Sequence, residues 1–124
     1  MTGNPPPSLS RRLLHSLRAW PRGTAGTLDL LPDGFEYMRR RRPVRIRWDE
    51  IMRVDAGMRD YLTVDLFYTI IHTAREKIVV DELVDGFRQL EESVFQHWPH
   101  VRERWLALQG TPHHQPQCET LWQR

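Results

Sequence analysis

The sequence predicts an α+β domain, mainly β: a bent antiparallel sheet, or partly open barrel, of six or seven strands capped by a C-terminal α-helix. Three observations lead there. Val44, Ile46 and Trp48 alternate with Arg45 and Arg47, which sends apolar and charged side chains to opposite faces of an extended segment. The same period recurs before and after it, as a sheet with one buried and one solvated face requires. From Leu83 the period becomes helical, with Leu83, Phe87, Leu90, Val94 and Trp98 in one stripe.

The elements follow in order. Pro5-Pro6-Pro7 opens a tail, Ser8 and Ser10 can cap a helix, and Leu9, Leu13, Leu14, Leu17 and Trp20 recur at helical spacing opposite Arg11, Arg12 and Arg18. Pro21 and Gly23 end that segment. Leu28 and Leu30 share a strand face, Pro32-Asp33-Gly34 has the chemistry of a tight turn, and Phe35 and Tyr37 continue the alternation. After Arg41-Arg42-Pro43 comes Val44–Trp48, then Met52, Val54, Ala56 and Met58 on one face against Arg53, Asp55 and Gly57.

The longest strand runs from Tyr61 to Thr73. Leu62, Val64, Leu66, Tyr68 and Ile70 line one face, while Phe67 and Ile71 interrupt the polar side. Lys77–Val80 is the sixth candidate. Asp81 or Asp85 can cap the helix that follows, and early acids suit its dipole. Pro99 interrupts this pattern, and Val101, Trp105 and Leu108 continue it toward Gly110 through a kink or a second helix. The expected division is 1–25 as a Pro-rich tail with a short basic amphipathic segment, 26–110 as the folded domain, and 111–124 as a C-terminal tail.

Length and composition bound the function classes. At 124 residues and 40% hydrophobic content the chain suits one small core. No apolar run approaches the roughly 20 residues of a membrane-spanning helix. The first residues lack the charged-then-apolar order of a secretory signal, and the lone Cys118 cannot form an internal disulfide. A cytoplasmic location is the expectation. Net charge is +2, unevenly spread: residues 1–59 carry 12 arginines and 6 acids, whereas residues 60–124 carry 6 cations and 10 acids. A basic surface is therefore expected in the first half, paired with acids of the second.

The order of elements resembles the pleckstrin-homology-like fold. The resemblance spans about residues 26–110 and is most specific at Ile46-Arg47-Trp48-Asp49-Glu50-Ile51, where bacterial members show a similar apolar-x-Trp-Asp-x-Ile junction. Asp33-Gly34-Phe35, Asp85-Gly86-Phe87 and the ending Leu121-Trp122-Gln123-Arg124 look like other points of the pattern. The resemblance implies a binding or scaffolding module with no shared catalytic residues. The two-lysine signature of inositol-phosphate binding members is absent, and Leu9–Trp20 has no fixed counterpart.

The run Arg39-Arg40-Arg41-Arg42, with Arg45 and Arg47 beyond it, is the candidate anion or partner site. Guanidinium groups grip phosphates and carboxylates in bidentate fashion, although a solvated turn produces the same sequence. Trp20 and Trp122 lie in the flanking segments and either pin them to the domain or anchor a partner. Trp48, Trp98 and Trp105 fit core or helix–sheet contacts. Asp49-Glu50 reads as a turn, since adjacent carboxylates on an extended strand point apart. His72 reads as a rim residue.

His97, His100, His113, His114 and Cys118 show no zinc spacing, and no nucleophile motif is present. No catalytic residue, metal or cofactor is assigned. The first reading is a non-catalytic module that meets a protein partner or anionic ligand. The alternatives are a membrane-surface adaptor using Leu9–Trp20 with Arg39–Arg42, and an enzyme or metal-binding protein built on the late histidines. Nucleic acid is disfavoured because the aromatics fall in core stripes. An uncovered strand edge leaves homodimerisation open.

Overall fold

The computed structural model describes residues 26–39, 41–61, 64–110 and 117–124. The Leu9–Trp20 segment, Arg40, Leu62, His113 and His114 lie outside the described residues. Strands β1 (Thr27–Leu31), β2 (Gly34–Arg39) and β3 (Arg42–Arg47) form one antiparallel sheet. Strands β4 (Ile51–Tyr61), β5 (Val64–Thr73), β6 (Lys77–Asp81) and β7 (Gln117–Gln123) form another, in the order β6-β5-β4-β7. Helices α1 (Phe87–His97) and α2 (Arg102–Gly110) lie between β6 and β7 in the chain. This is the mainly-β α+β class that the alternation predicts, with seven strands in two open sheets among the described residues.

The core draws on every layer. Leu28, Phe35, Tyr37 and Ile46 come from the first sheet, and Ile51, Val54, Ala56, Phe67, Ile71 and Val80 from the second. Phe87, Leu90 and Val94 of α1 and Trp105 and Leu108 of α2 close it. Trp48–Glu50 makes a single 3₁₀ turn that carries the chain from β3 into β4. Glu50 Oε1 accepts the Arg47 N–H at 2.9 Å, and the Trp48 N–H donates to the Asp33 carbonyl at 3.0 Å. Glu50 thus caps the turn that joins the two strands.

The edge of β1 is covered by the loop before α1. Thr27 forms a parallel bridge with Asp85, and the Leu28 N–H donates to the Asp85 carbonyl at 2.7 Å. Covering this edge leaves fewer unpaired backbone groups and ties the first sheet to the helical layer.

Several details differ from the sequence pattern. A bulge between Ile51 and Arg53 breaks the alternation of β4, so Ile51 is buried while Met52 is 44% exposed instead of sharing a face with Val54. In β5 the core face is Phe67, Thr69 and Ile71, which stand opposite Met58, Ala56 and Val54; Tyr68 and Ile70 face the other way and are half-buried. Both faces of this strand are apolar, so period-two patterning does not choose between them, and the register with β4 does. Thr69 is tolerated in the core because its hydroxyl donates to the Asp55 carbonyl at 2.7 Å.

The helical stretch begins later than the stripe suggests. Neither Asp81 nor Asp85 caps it; Gly86, in a left-handed conformation, precedes Phe87, and Asp81 instead accepts the Leu83 N–H of the preceding turn at 2.9 Å. At Pro99 the chain makes a 3₁₀ turn and starts a second helix, which resolves the choice between kink and restart. The segment 111–124, expected as a tail, ends in strand β7 along the whole middle of β4. Its alternation is short and polar, so only pairing with β4 reveals it.

Candidate functional site

Arg39, Arg41 and Arg42 lie at the tip of the β2–β3 hairpin. Arg39 and Arg42 are cross-strand neighbours, and Arg41 takes a left-handed φ of 62° at the turn. All three are exposed. Among the described residues none of the three has a carboxylate within salt-bridge distance. Arg39 lies beside the Tyr37 hydroxyl, whose titration burial pushes upward while the guanidinium opposes the shift.

Arg45 and Arg47 do not extend this free surface. Arg45 pairs with its cross-strand neighbour Glu36 at 3.5 Å, and Arg47 reaches Asp49 at 2.7 Å and Asp33 at 3.9 Å. These partners belong to the first half of the chain, not to the acidic second half. Hairpin register brings Glu36 against Arg45, a local effect that the overall charge balance does not show.

The second sheet adds a residue that sequence reading did not select. Arg59, near the end of β4, holds its guanidinium 5.1 Å from the centre of the Tyr68 ring. Tyr68 is in turn the cross-strand partner of Asp81. Burial pushes the Asp81 carboxyl up, while the Leu83 N–H and the positive charges of Arg39 and Arg59 act against that rise. Arg39 from one sheet and Arg59 from the other thus act on the same carboxyl. No sequence signal marks Arg59, because its relation to Arg39 exists only once the two sheets pack.

Trp122 joins an aromatic seam. Its ring lies 4.6 Å from Trp98, Trp98 is 6.2 Å from Trp48, and Trp48 stacks on His97 at 4.4 Å and contacts Phe35 at 5.4 Å. The three indoles are half-buried and come from β7, the end of α1 and the β3–β4 junction. Arg124 reinforces the seam: its guanidinium donates to the carbonyls of Asp49 and Ile51 at 2.9 Å each. Arg104 of α2 also pairs with Glu119 of β7. Trp122 therefore has an intramolecular partner, while Trp20 lies outside the described residues.

On the outer face of the four-stranded sheet, Asp55 is only 3% exposed. Arg53 donates to both of its oxygens, at 3.0 Å from Nε to Oδ1 and 2.9 Å from Nη2 to Oδ2. The Thr120 hydroxyl donates at 2.8 Å, and His72 Nε2 lies 2.8 Å from Oδ2. Burial by itself would raise the Asp55 carboxyl; the bonds from Arg53, Thr120 and His72 outweigh it and hold the group below the usual range. His72 is thus half-buried in a polar network, not simply a rim residue. The network needs β4, β5 and β7 side by side, so sequence spacing gives no hint of it.

Asp55→Asn is expected to lower unfolding free energy at neutral pH by about 1–3 kcal/mol, since charged hydrogen bonds are lost while the shape is kept. A depressed carboxyl stabilises above the ordinary carboxylate range and loses that effect as pH falls through its folded value. The gap between variant and parent should therefore narrow in acid, as denaturant titrations at several pH values would show.

Beside this network, Gly57 separates Tyr68 from Cys118 across three adjacent strands. Tyr68 bridges the gap: burial and a bond to Cys118 push its hydroxyl up to about 12, with Arg59 opposing. His97 stacks on Trp48 and bonds the Ser93 carbonyl at 2.9 Å, and His100 is exposed. Among the described residues no three of His, Cys, Asp and Glu gather in a way that could hold a metal. Compared with known proteins, the chain matches no protein-family model, no curated protein and no solved structure.

Proposed function

We propose that this protein is a non-catalytic binding module that takes an anionic ligand or an acidic protein partner at the β2–β3 hairpin tip. The observation that carries this reading is the contrast along one hairpin. Arg45 and Arg47 have carboxylate partners, whereas Arg39, Arg41 and Arg42 project from the tip with no ion pair among the described residues. Exposed guanidinium groups without a carboxylate partner keep donors available for a carboxylate or phosphate. Arg59 adds positive charge from the second sheet.

The likeness to pleckstrin-homology-like domains belongs to this proposal. Antiparallel sheets joined to a helical layer support it, while β7, which follows the helices, departs from the order it implies. Action in the cytoplasm is likewise proposed, on the single Cys118. No described helix is long and apolar enough to cross a membrane.

Replacing Arg39–Arg42 with serine tests the proposal. Arg41 and Arg42 are exposed and Arg39 bonds the Tyr37 side chain, so a stability loss of only about 1 kcal/mol is expected, while heparin elution moves to lower salt. Each arginine near an anionic surface contributes roughly 1 kcal/mol, so affinity should drop about tenfold or more. Unchanged retention on heparin and on anionic liposomes would remove the anion site. Loss of liposome binding with heparin retention intact would favour a membrane-surface adaptor instead.

A further inference from the structure

Apolar residues on the outer face of the four-stranded sheet are more covered than the described helices explain. Successive side chains of a strand alternate between faces. Phe67, Thr69 and Ile71 of β5 face the core, so Leu66, Tyr68 and Ile70 face outward, beside Gly57 of β4 and Val79 of β6. Both described helices contribute to the core face, where Trp105 meets Phe67 at 5.2 Å. On the outward face, nevertheless, Leu66 is 5% exposed, Gly57 is buried, and Tyr68, Ile70 and Val79 are half-buried.

The described residues begin beside this face. The Gly26 carbonyl accepts the Asp85 N–H at 3.3 Å, and Asp85 lies four residues past Asp81, the cross-strand partner of Tyr68. Five residues, Pro21–Ala25, separate Trp20 from Gly26 and span at most about 20 Å. Ahead of them Leu9, Leu13, Leu14, Leu17 and Trp20 recur at helical spacing, opposite Arg11, Arg12 and Arg18. A helix of that length measures about 18 Å. The outward apolar row measures roughly 13 Å along β5 and 10 Å from β6 to β4, so the dimensions match. A helix of about three turns is marginal alone and needs an apolar surface.

We propose that the outer face of the four-stranded sheet is a docking surface for the chain's own Leu9–Trp20 segment, which lies across Leu66, Tyr68, Ile70 and Val79 as an amphipathic helix. Its leucines and Trp20 cover the apolar row, so helices enclose this sheet on both faces. Arg11, Arg12 and Arg18 then point to solvent, and an apolar sheet face becomes a basic surface. The short connection through Pro21–Ala25 keeps the segment at high effective concentration over its own sheet, which favours docking within one molecule over exchange between two. A docked stripe cannot also enter a bilayer, so membrane binding through this segment requires it to leave the sheet.

Side-chain NOE measurements by NMR on the full chain, in dilute solution, test this. Leu13, Leu17 and Trp20 should give cross-peaks to Tyr68, Ile70 and Val79. Leu13→Asp combined with Leu17→Asp should abolish them and lower Tm by about 5–15 °C. The cross-peaks between Trp105 and Phe67 should persist in that variant, which shows that the core remains folded. Absence of the parental cross-peaks, or a Tm unchanged in the double variant, would overturn the docking. Cross-peaks found only between labelled and unlabelled molecules of a mixed sample would give the surface to a second copy and overturn docking within one chain. A segment that contacts phosphatidylserine vesicles and shows no contact with the sheet in their absence would assign it to a bilayer instead.

Discussion

Trp105→Ala should destabilise the fold by about 3–5 kcal/mol, the range for removing a fully buried large aromatic from a core that relaxes only in part. The indole is 0% exposed and sits 5.2 Å from Phe67, 5.5 Å from Phe95 and 6.3 Å from Phe87. It thus joins β5, α1 and α2 in one aromatic cluster, and truncation leaves a cavity between a sheet and two helices. A second loss adds to the first, since Glu91 gives up the indole N–H that it accepts at 2.7 Å. Trp105→Phe helps to separate the two effects: it keeps a buried aromatic ring while removing the donor and part of the indole's volume, so a smaller loss of about 1–3 kcal/mol is expected. Urea titration of both variants measures the difference. Equal losses would mean that the hydrogen bond, not the packing, dominates.

Gly86→Ala should rank beside it. Gly86 has φ of 102° in front of α1, and an added Cβ would stand 2.1 Å from the Leu28 carbonyl oxygen. Left-handed strain costs about 1–3 kcal/mol and forced overpacking about 1–3 kcal/mol more, so a loss of roughly 2–6 kcal/mol is expected. The obstruction is backbone, so no rotamer change relieves it. Relief requires β1 to move from the loop, breaking the Leu28–Asp85 hydrogen bond. Gly86→Asn distinguishes the causes, because asparagine tolerates the left-handed region but carries the same Cβ. Similar thermal shifts for both variants would identify the close approach as the cause, whereas a much milder asparagine variant would identify backbone strain. Against a total stability of about 5–15 kcal/mol, either substitution can leave a sizeable unfolded fraction.

The arginine hairpin shows how much of the candidate site was legible. Arg39–Arg42 reads as a turn between strands because Pro43 follows and the alternation resumes at Val44, and the tip lies there. What spacing did not show is that the row divides. Arg45 falls opposite Glu36 through hairpin register, and Arg47 meets the turn acids Asp33 and Asp49. Among the described residues, Arg39, Arg41 and Arg42 at the tip have no carboxylate within salt-bridge distance. Arg59 and Asp81 were not legible as neighbours of the tip at all, because they lie on different strands of another sheet.

The same division runs through the fold. Alternation in Val44–Trp48, the turn chemistry of Pro32-Asp33-Gly34 and the stripe Phe87–Leu90–Val94 each concern residues a few positions apart, where geometry is set by the local backbone. Those elements and the α+β class follow from the chain alone. The buried face of β5, the strand identity of Gln117–Gln123 and the network around Asp55 depend on partners far along the chain, as with Arg53 opposite Gln123 and Asp55 bonded by Thr120. β5 carries apolar residues on both faces, and β7 is too polar to announce burial, so neither contains its own answer. Pairing with β4 supplies it, since one central strand sets the register of both neighbours and so decides which side chains meet.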